Sequence, residues 1–575
     1  MNTQHTQNPS ERGMALLLAL MFISMALIAL ATMMGRMMAQ RNQVSQFDDY
    51  KKTFEGVESA IITSKYLLES GGEATIGLTA WDPQYDSNGI LQLPGFDDSA
   101  VDPIVLDSMD DVQYFAFASR WMDDGRDSNG DGLVDDTSEK YMYSVHAAAT
   151  KNNMVRKVEV IYEGGDVNVW RNAIFAGTGQ AGGLINGNVS IHGSVHLLGD
   201  NLLEGNAALA AIDLSGTSLI HNNYIDIPAA LLARIPALPQ TIFEGETVST
   251  LEANLRVKNG LVGMSGNSEI GEPQVLGNAS KETMDGTLVN DGWTGTAVTP
   301  DGDRGDPKSV FSDNGWDESY DLGNKVPFPV LADDWRDPTT GAKVENPATG
   351  TWYTHEDYFN QVLVADPNVT NDGVYTGDIT LNVKTSKFYW NATTGALLNG
   401  SLPAALPPAT DDYIYFDCDS DVMRVNGQVR INGNLSFTGL GGDRTVNYSG
   451  RAALMVYGDV SIDTHLVTCN NGNTASTANS FPVSNILGIM ASNNMVVGST
   501  AQLDIMGAFY AQQKITSAKQ TNVIGTFVSN YFDMGTNVPN IFQVPSLADN
   551  LPLGMIGNYP ILSLSQVAWR ELGIE

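Results

Sequence analysis

The chain has 575 residues and a formal net charge of −35, with 66 acidic against 31 basic residues. An acidic chain repels phosphate backbones and anionic lipid headgroups, which argues against sequence-wide binding of nucleic acid, and it attracts divalent cations. The 57 glycines, with abundant Asn and Asp, favour turn-rich β structure over a helical bundle. The length fits about three to four ordinary domains, or fewer if one of them is a repeat array as long as several ordinary domains.

An uncharged apolar segment runs from Met14 to Gly35, interrupted only by Ser24 and Thr32. As a helix it would span about 33 Å, enough to cross the hydrocarbon of a bilayer. It is too long for an ordinary signal-peptide core, and no A-x-A cleavage site follows it. The segment therefore predicts a retained membrane-spanning helix, and a plain single-span anchor is one interpretation of it.

An apolar stripe continues the helix beyond the uncharged segment. It recurs every seven residues, with a second row beside it, and consists of Phe47, Phe54, Ile61 and Leu68 with Tyr50 and Val57. Gly71-Gly72 then ends the helix. The pattern predicts one helix from about Met14 to Ser70, whose second half packs on a domain or, alternatively, forms a juxtamembrane coiled coil.

The residues before the apolar segment are Ser10-Glu11-Arg12-Gly13, joined directly to Met14-Ala-Leu-Leu-Leu18. This junction resembles a type IV prepilin signal of class III. The resemblance implies cleavage after Gly13 by a prepilin peptidase, methylation of Met14 and retention of the helix as a filament core. Classical pilins carry Glu at mature position five, where this chain has Leu18, so the chain resembles minor subunits, especially minor pilins with a PilX-type N-terminus.

The resemblance covers roughly residues 10–165 and carries further implications. The fold would be an α+β pilin-like module, with a long N-terminal helix on an antiparallel β-sheet. The partners would be other pilins through the N-terminal helix, the membrane, the inner-membrane pilus assembly platform, prepilin peptidase and a tip adhesin. The location would be a single pass of the inner membrane before assembly, then the extracellular pilus of a bacterium.

The chain divides by its patterns into successive segments. Residues 1–13 form the leader, 14–35 the filament-core helix, 36–72 its amphipathic continuation and 73–170 a β domain. Alternation predicts a strand at 113–121 and a hairpin from 140–150 and 154–162. The remaining ranges are a β-solenoid-like block at 171–284, an irregular acidic insertion at 285–410, a second block at 411–540 and a C-terminal cap at 541–575.

The solenoid interpretation rests on repeated β units. Segments beginning at Gly488, Gly507 and Gly525 align with one another, and the segment beginning at Ala453 is an earlier copy. Such a repeat buries its apolar face only on the next coil, so it is not stable alone. A large all-β, β-solenoid-like C-terminal region is therefore expected, with a twisted β-sandwich of hairpins as the alternative.

A calcium loop is the strongest chemical motif. Oxygen ligands recur at alternate positions and a glycine stands at the sharp turn, in the order Asp127, Asn129, Asp131, Gly132, Leu133 through its carbonyl, and Asp135. This spacing is similar to nine-residue calcium loops in dockerins and pilus-tip adhesins. The expected cofactor is structural Ca²⁺, and an acidic hairpin loop without metal is the alternative.

The chain has only two cysteines, Cys418 and Cys469, which is too few for a framework of disulfides to be the main source of stability. They leave either one bridge in an exported chain or two small buried residues. No H-E-x-x-H, G-x-S-x-G or phosphate-binding loop occurs, so an enzyme is not expected.

The favoured hypothesis is a minor pilin-like subunit at a filament tip or in assembly priming, with a large β domain for binding. The alternatives are a membrane-anchored surface or periplasmic structural protein that enters no filament, and a polysaccharide-active β-helix enzyme.

Overall fold

The computed structural model describes most of the chain outside several loops. The described residues are 9–71, 84–85, 91–92, 104–109, 111–121, 141–152, 154–178, 185–187, 190–200, 202, 210–243, 246–266, 268–271, 286–289, 293–295, 322, 324–337, 342–347, 349–357, 373–439, 445–469, 480–534 and 539–572. The chain forms two compact units, the first from residues 1–165 with 564–575 and the second from 166–563.

The helices and strands follow in chain order. The first part contains α1 (Pro9–Gly71), β1 (Gln84–Tyr85), β2 (Leu91–Gln92), β3 (Val105–Met109), β4 (Val112–Arg120), β5 (Met142–Lys151) and β6 (Met154–Asp166). The next contains a 3-10 turn (Val169–Arg171), β7 (Ile174–Ala176), β8 (Ile185–Gly187), β9 (Ser190–His192), β10 (Val195–Leu197), β11 (Ala210–Leu214), β12 (Leu219–His221), α2 (Ala229–Leu232), β13 (Gln240–Phe243), β14 (Glu246–Ser249), β15 (Asn254–Val257), β16 (Leu261–Met264), β17 (Glu269–Ile270), β18 (Gly286–Val289) and β19 (Trp293–Gly295).

The remaining elements lie beyond residue 340. They are β20 (Glu345–Asn346), β21 (Thr351–Trp352), β22 (Val374–Thr376), β23 (Ile379–Asn382), β24 (Lys387–Asn391), β25 (Ala396–Asn399), β26 (Tyr413–Asp417), β27 (Val422–Asn432), β28 (Leu435–Thr438), β29 (Thr445–Val456), β30 (Val460–Ile462), β31 (His465–Thr468), β32 (Ile486–Ala491), β33 (Asn494–Val497), β34 (Asp504–Ser517), β35 (Asn522–Asp533), β36 (Asn540–Phe542), a 3-10 turn (Pro545–Asn550) and β37 (Leu562–Leu572).

The first unit packs the long helix on a five-stranded sheet, in the order β3-β4-β5-β6-β37. The predicted strand at 113–121 is β4, and the predicted hairpin is β5 and β6, joined at Asn152 with φ 55°. Along β5 the odd-numbered residues Val145, Ala147 and Ala149 are fully buried. Alternate residues of a strand share one face, and Gly56 of the helix approaches Ala149, so this apolar face lies under the helix. The opposite face, with His146 and Ala148, is buried as well.

The C-terminal strand β37 corrects one expectation. Residues 541–575 were expected to cap the chain's end, whereas β37 pairs beside β6 as an edge of the first unit's sheet. Arg156, early in β6, pairs with Glu571, while Gly164, late in β6, adjoins Leu564. The two strands therefore run in opposite directions. The second unit is inserted in the chain between these neighbouring strands.

The second unit is built around stacked parallel strands. Its central row pairs one residue from each of nine strands, namely Val429, Leu454, Ile489, Phe509, Phe527, Ile174, Val195, Leu255 and Thr287. All nine residues are buried. Parallel strands lie ~4.8 Å apart, so the row is about 38 Å long. The apolar side chains of this row point into one shared core, and those of neighbouring strands pack against one another there.

The stacking order differs from the chain order. The chain enters the stack at β7 and continues through β10 and β15 to β18, which ends the row on that side. It rejoins the stack at the opposite end with β22, which pairs with β27. It then returns through β27, β29, β32 and β34 until β35 pairs with β7 and β36 with β9. The two blocks predicted at 171–284 and 411–540 therefore form one continuous stack.

The range 285–410, expected to be irregular, contains regular strands. Strands β22 and β23 pair in parallel with β27 and β28, and β24 pairs antiparallel with β25 and β26. The buried pairs Phe388–Phe416 and Trp390–Ile414 explain why this segment is ordered, since they place aromatic side chains in the core. Much of the acidic sequence before it, 296–321, lies outside the described residues.

A row of Asn and Asp side chains fixes one turn of the stack. The carboxylate of Asp378 accepts from the N–H of Asn434, whose amide oxygen accepts from the N–H of Asp459, and that carboxylate accepts from the N–H of Asn494. Gly433 precedes one of these residues, and a Cβ there would lie 2.2 Å from the carbonyl oxygen of Gly377. The recurring Gly-Asx pairs in the sequence thus allow close stacking and satisfy exposed backbone donors.

Candidate functional site

The first half of α1 is an exposed apolar surface. Every residue from Gly13 to Asp48 is exposed, and Met14 and Phe22 are 65% and 69% accessible. The helix between Gly13 and Ser70 contains an 18-residue window with a mean hydropathy of 2.7, none of it buried. This stretch is long and apolar enough to cross a membrane. The helix has 63 residues in all, which is about 95 Å.

The predicted processing junction lies within this helix. The helix passes through Gly13 and Met14, and a Cβ placed on Gly13 would meet nothing within 4 Å. Leu18, at the position where classical pilins have Glu, is 51% exposed. The junction is therefore accessible, and the exposed surface from Met14 to Gly35 carries no charged group. Residues 1–8 of the leader lie outside the described part of the chain.

The second half of α1 packs against strands β3, β4 and β5. Its buried face consists of Thr53, Gly56, Val57, Ala60, Ile61, Ser64 and Leu68. The predicted stripe is confirmed from Val57 to Leu68, but Phe47 is 71% exposed because it precedes the point where the helix reaches the sheet. The hydroxyls of Thr53 and Ser64 donate to carbonyls one turn earlier, so their burial leaves no donor unpaired.

Gly56 sets the closest approach of helix and sheet. A Cβ at this position would lie 2.8 Å from Cγ1 of Val112 and 3.1 Å from Cβ of Ala149. Carbon atoms in contact prefer about 3.5–4.0 Å. A side chain larger than hydrogen would therefore push the helix away from β4 and β5. Gly56 was not among the residues predicted from sequence to be functional, although a small residue within an apolar stripe is a usable signal of close packing.

Arg156 fixes the helix where it leaves the sheet. Its guanidinium lies 4.5 Å from the ring centroids of both Tyr50 and Phe54, and one of its nitrogens lies 2.8 Å from a carboxylate oxygen of Glu571. The residue is only 6% exposed. A buried guanidinium is stabilised by aromatic faces and a carboxylate partner. This one side chain thus links α1, β6 and β37.

A buried ionic group lies in the same sheet. A ring nitrogen of His146 is 2.9 Å from a carboxylate oxygen of Glu159, and Arg570 donates to the other oxygen. Burial acts to raise the pKa of Glu159, but the hydrogen bonds and charges of His146 and Arg570 hold that pKa below its usual value. The arrangement stabilises the ionised carboxylate and joins β5, β6 and β37.

The predicted calcium ligands Asp127, Asn129, Asp131, Leu133 and Asp135 lie in residues 122–140, outside the described residues. The structure does describe both ends of this loop. Arg120 of β4 pairs with Tyr143 of β5, and the N–H of Trp121 donates to the carbonyl of Met142 at 3.0 Å. The loop therefore connects two adjacent antiparallel strands whose ends are held together.

Cys418 and Cys469 are both buried free thiols. Cys418 follows β26 and Cys469 follows β31, and strands β27 and β29 pair in between. Three strand spacings of ~4.8 Å separate them by about 14 Å, beyond the ~7 Å reach of a disulfide. Burial raises the pKa of both thiols. The structure therefore corresponds to the alternative of two small buried residues.

Among the described residues, one cluster has the composition of a metal site: Asp417, Cys418 and Asp419. Lys387 lies 2.5 Å from a carboxylate oxygen of Asp419 and supplies a counter-charge. Asp417 is partly buried and Asp419 is exposed, and the lysine accounts for their proximity without a metal. No spacing in the sequence pointed to this cluster.

Comparison with known proteins gives a similarity at the level of structure. No family model matches the chain, and no curated protein matches it. Among solved structures, the chain is similar to the competence-associated pilin ComZ from Thermus thermophilus, at 17% identity and a TM-score of 0.47, over 91% of this chain and 97% of that one.

Proposed function

We propose that this chain is a minor pilin-like structural subunit of a type IV pilus or a related filament, without catalytic activity. One observation carries the proposal. A single helix presents an exposed apolar half directly after the Gly13-Met14 junction, while its second half is fixed to a sheet by Gly56 and Arg156. An apolar rod held rigidly on a folded unit is suited to lateral packing with other such rods.

The energetics favour assembly over exposure to water. Burial of a large apolar side chain contributes about 1.5–3 kcal/mol, and the exposed half of α1 carries a long series of Met, Leu, Ile and Phe. A membrane before assembly and neighbouring pilin helices after it would both cover this surface. Leu18 in place of Glu removes a carboxylate that could pair with a neighbour's amino terminus, which supports a minor rather than a main subunit.

The large β-rich unit supports a position at the tip or in assembly priming. Residues 166–563 interrupt the first unit between β6 and β37 and would have to be accommodated at every repeat of a shaft. A subunit present once, at the end, avoids this repetition. We further propose that its continuous parallel stack belongs to the β-solenoid class and displays a surface for binding. The assembly platform and a tip adhesin would be its other partners.

We also propose that the loop from Asp127 to Asp135 binds structural Ca²⁺. The paired ends of β4 and β5 bring the two ends of the loop together, so an ion that neutralises its carboxylates would rigidify this end of the sheet.

The decisive experiment is analysis of the mature N-terminus. We expect mass spectrometry of the protein from cells with a prepilin peptidase to give a chain beginning at N-methylated Met14. Gly13→Val should block cleavage, because its side chain occupies the peptidase's cleavage position. Gly35→Val is the matched control, since Gly35 also lies on α1 with nothing within 4 Å of its Cβ position. Retention of Met1 in the wild type would contradict the proposal and leave the alternative of a plain membrane anchor.

Catalysis on polysaccharide is tested separately. A structural subunit should release no reducing ends from candidate polysaccharides. Depolymerisation by the purified chain would contradict the non-catalytic assignment.

A further inference from the structure

The second unit contains a pocket of about 450 Å³ beside its stacked strands. Its polar lining comes from neighbouring coils: Asn530 from β35, Thr178 just after β7, Asp200 after β10 and Lys258 after β15. These four strands pair in that order, so their polar side chains follow one another along one side of the stack. A separate segment, which carries Asn324 and Phe328, forms the facing wall.

The facing wall is firmly held. The ring of Phe328 stacks between Phe175 and Tyr510, with centroid distances of 6.5 and 5.9 Å and interplanar angles of 15°. The hydroxyl of Tyr510 also donates to the carbonyl of Pro329 at 2.8 Å. A pocket between a strand stack and an anchored segment keeps its shape without a ligand, which lowers the cost of binding.

The charged groups in the pocket do not neutralise each other by direct contact. Lys258 donates to the amide oxygen of Asn324, and among the described residues no ion pair joins Lys258 to Asp200 within 4.0 Å. Partial burial raises the pKa of Asp200, and the charge of Lys258 acts in the opposite direction. The pocket thus offers one carboxylate acceptor and one ammonium donor, without net charge.

Neutral polar groups complete the lining. The N–H of Thr178 donates to the amide oxygen of Asn530 at 2.7 Å, which orients that amide and leaves its NH₂ group for other acceptors. A ligand must therefore donate to Asp200 and accept from Lys258 and Asn530. A hydroxyl group both donates and accepts, and adjacent hydroxyls on a ring do so at closely spaced positions. The C–H face of such a ring matches the apolar part of the lining, which Leu198, Val326 and Pro327 form.

We propose that this pocket binds a neutral saccharide unit. The inference names a ligand class for the binding role proposed for the β-rich unit and depends on that role. It requires no cleavage at Met14, so failure of saccharide binding and failure of the filament assignment are distinguishable. A zwitterionic amino acid is the competing neutral ligand, but it would leave the amides of Asn324 and Asn530 and the hydroxyl of Thr178 without matched groups.

The experiment is saturation-transfer difference NMR on the detergent-solubilised full chain. The probes are the methyl glycosides of glucose, galactose, mannose and N-acetylglucosamine, with glycine and alanine as zwitterionic probes. We expect transfer to at least one glycoside, and a loss of affinity of about tenfold or more in Asp200→Asn and Lys258→Met, because each removes a charged hydrogen-bonding group. Asp226→Asn, at an exposed turn of the same unit, is the matched control and should bind as wild type.

Three results would overturn the proposal. They are an absence of transfer to every glycoside, transfer that is unchanged in Asp200→Asn, and Asp200-dependent transfer confined to glycine and alanine. Near-ultraviolet circular dichroism of each variant checks that the unit remains folded. Processing of Met14, measured on the same preparations, reports on the filament assignment independently.

Discussion

Gly56→Ala tests whether the helix and sheet of the first unit are packed as tightly as the structure indicates. In an unobstructed helix this change stabilises by about 1 kcal/mol, since alanine is the better helix former. Here the added carbon would lie 2.8 Å from Cγ1 of Val112 and 3.1 Å from Cβ of Ala149. Both distances fall short of the ~3.5 Å at which carbon atoms stop repelling each other.

The magnitude follows from the opposition of these effects. Overpacking by one carbon costs about 1–3 kcal/mol, so the net change should be a loss of about 0–2 kcal/mol. Removing the nearer of the two obstructing groups, Cγ1 of Val112, should reverse the sign, because the 3.1 Å approach to Ala149 can be relieved by a shift of a few tenths of an ångström. In a Val112→Ala background, which is itself destabilised by a cavity, Gly56→Ala should recover stability of about 1 kcal/mol by filling part of that space.

Hydrogen exchange measured by mass spectrometry is suited to comparing Gly56→Ala in the wild-type and Val112→Ala backgrounds. The chain has two units and need not unfold in one step, and this method reports on each unit separately. Peptides from β4 and β5 report opening of the first unit, and peptides from β34 and β35 serve as an internal reference. Gly56→Ala should increase exchange in β4 and β5 and leave exchange in β34 and β35 unchanged. If Gly56→Ala protects these strands equally in the wild-type and Val112→Ala backgrounds, the close contact between helix and sheet does not exist.

The remaining predictions concern acid and calcium. The pKa of Glu159 is held below the usual value of 4.5, so its stabilising effect is present above that pH and is lost as the pH falls through the folded-state pKa. Glu159→Gln should therefore destabilise the first unit at pH 7 by roughly 1.5–3 kcal/mol, the contribution of a hydrogen bond to a charged group. It should also reduce the dependence of the melting temperature on pH, measured in thermal melts between about pH 3 and 7. If that dependence is unchanged, Glu159 is not the acid-sensitive group. Asp131→Ala should lower the melting temperature only when calcium is present. Equal shifts with and without a chelator would rule out calcium binding by the loop.

The local features of the first unit could be predicted from sequence. Seven-residue spacing placed Val57, Ile61 and Leu68 on the buried face, and alternation gave β4 and the β5–β6 hairpin. These elements are set by neighbours within a few residues or one turn. Arg156 was not predictable, because its partners Tyr50 and Glu571 lie far away in the chain.

The register of the stacked strands was partly predictable. Ala453 pairs with Gly488, and Gly507 with Gly525, as the repeat predicted, whereas Gly488 pairs with Ala508, one residue away from the predicted partner. The order of the strands was not predictable. Pairing of β35 with β7 joins segments about 350 residues apart, and a parallel ladder between distant strands leaves no periodic signal in either one.

The insertion between β6 and β37 has a consequence for how such a chain could have arisen. In the second unit the N–H of Val167 donates to the carbonyl of Ile561 at 2.8 Å, so its two ends emerge side by side. In the first unit Gly164 adjoins Leu564, and these strands could be closed by a short turn. A domain whose two ends are adjacent can be inserted, lost or replaced while the domain that carries it keeps its own sheet. Related proteins with the same helix-and-sheet unit could thus carry unrelated inserted domains between the strands that correspond to β6 and β37.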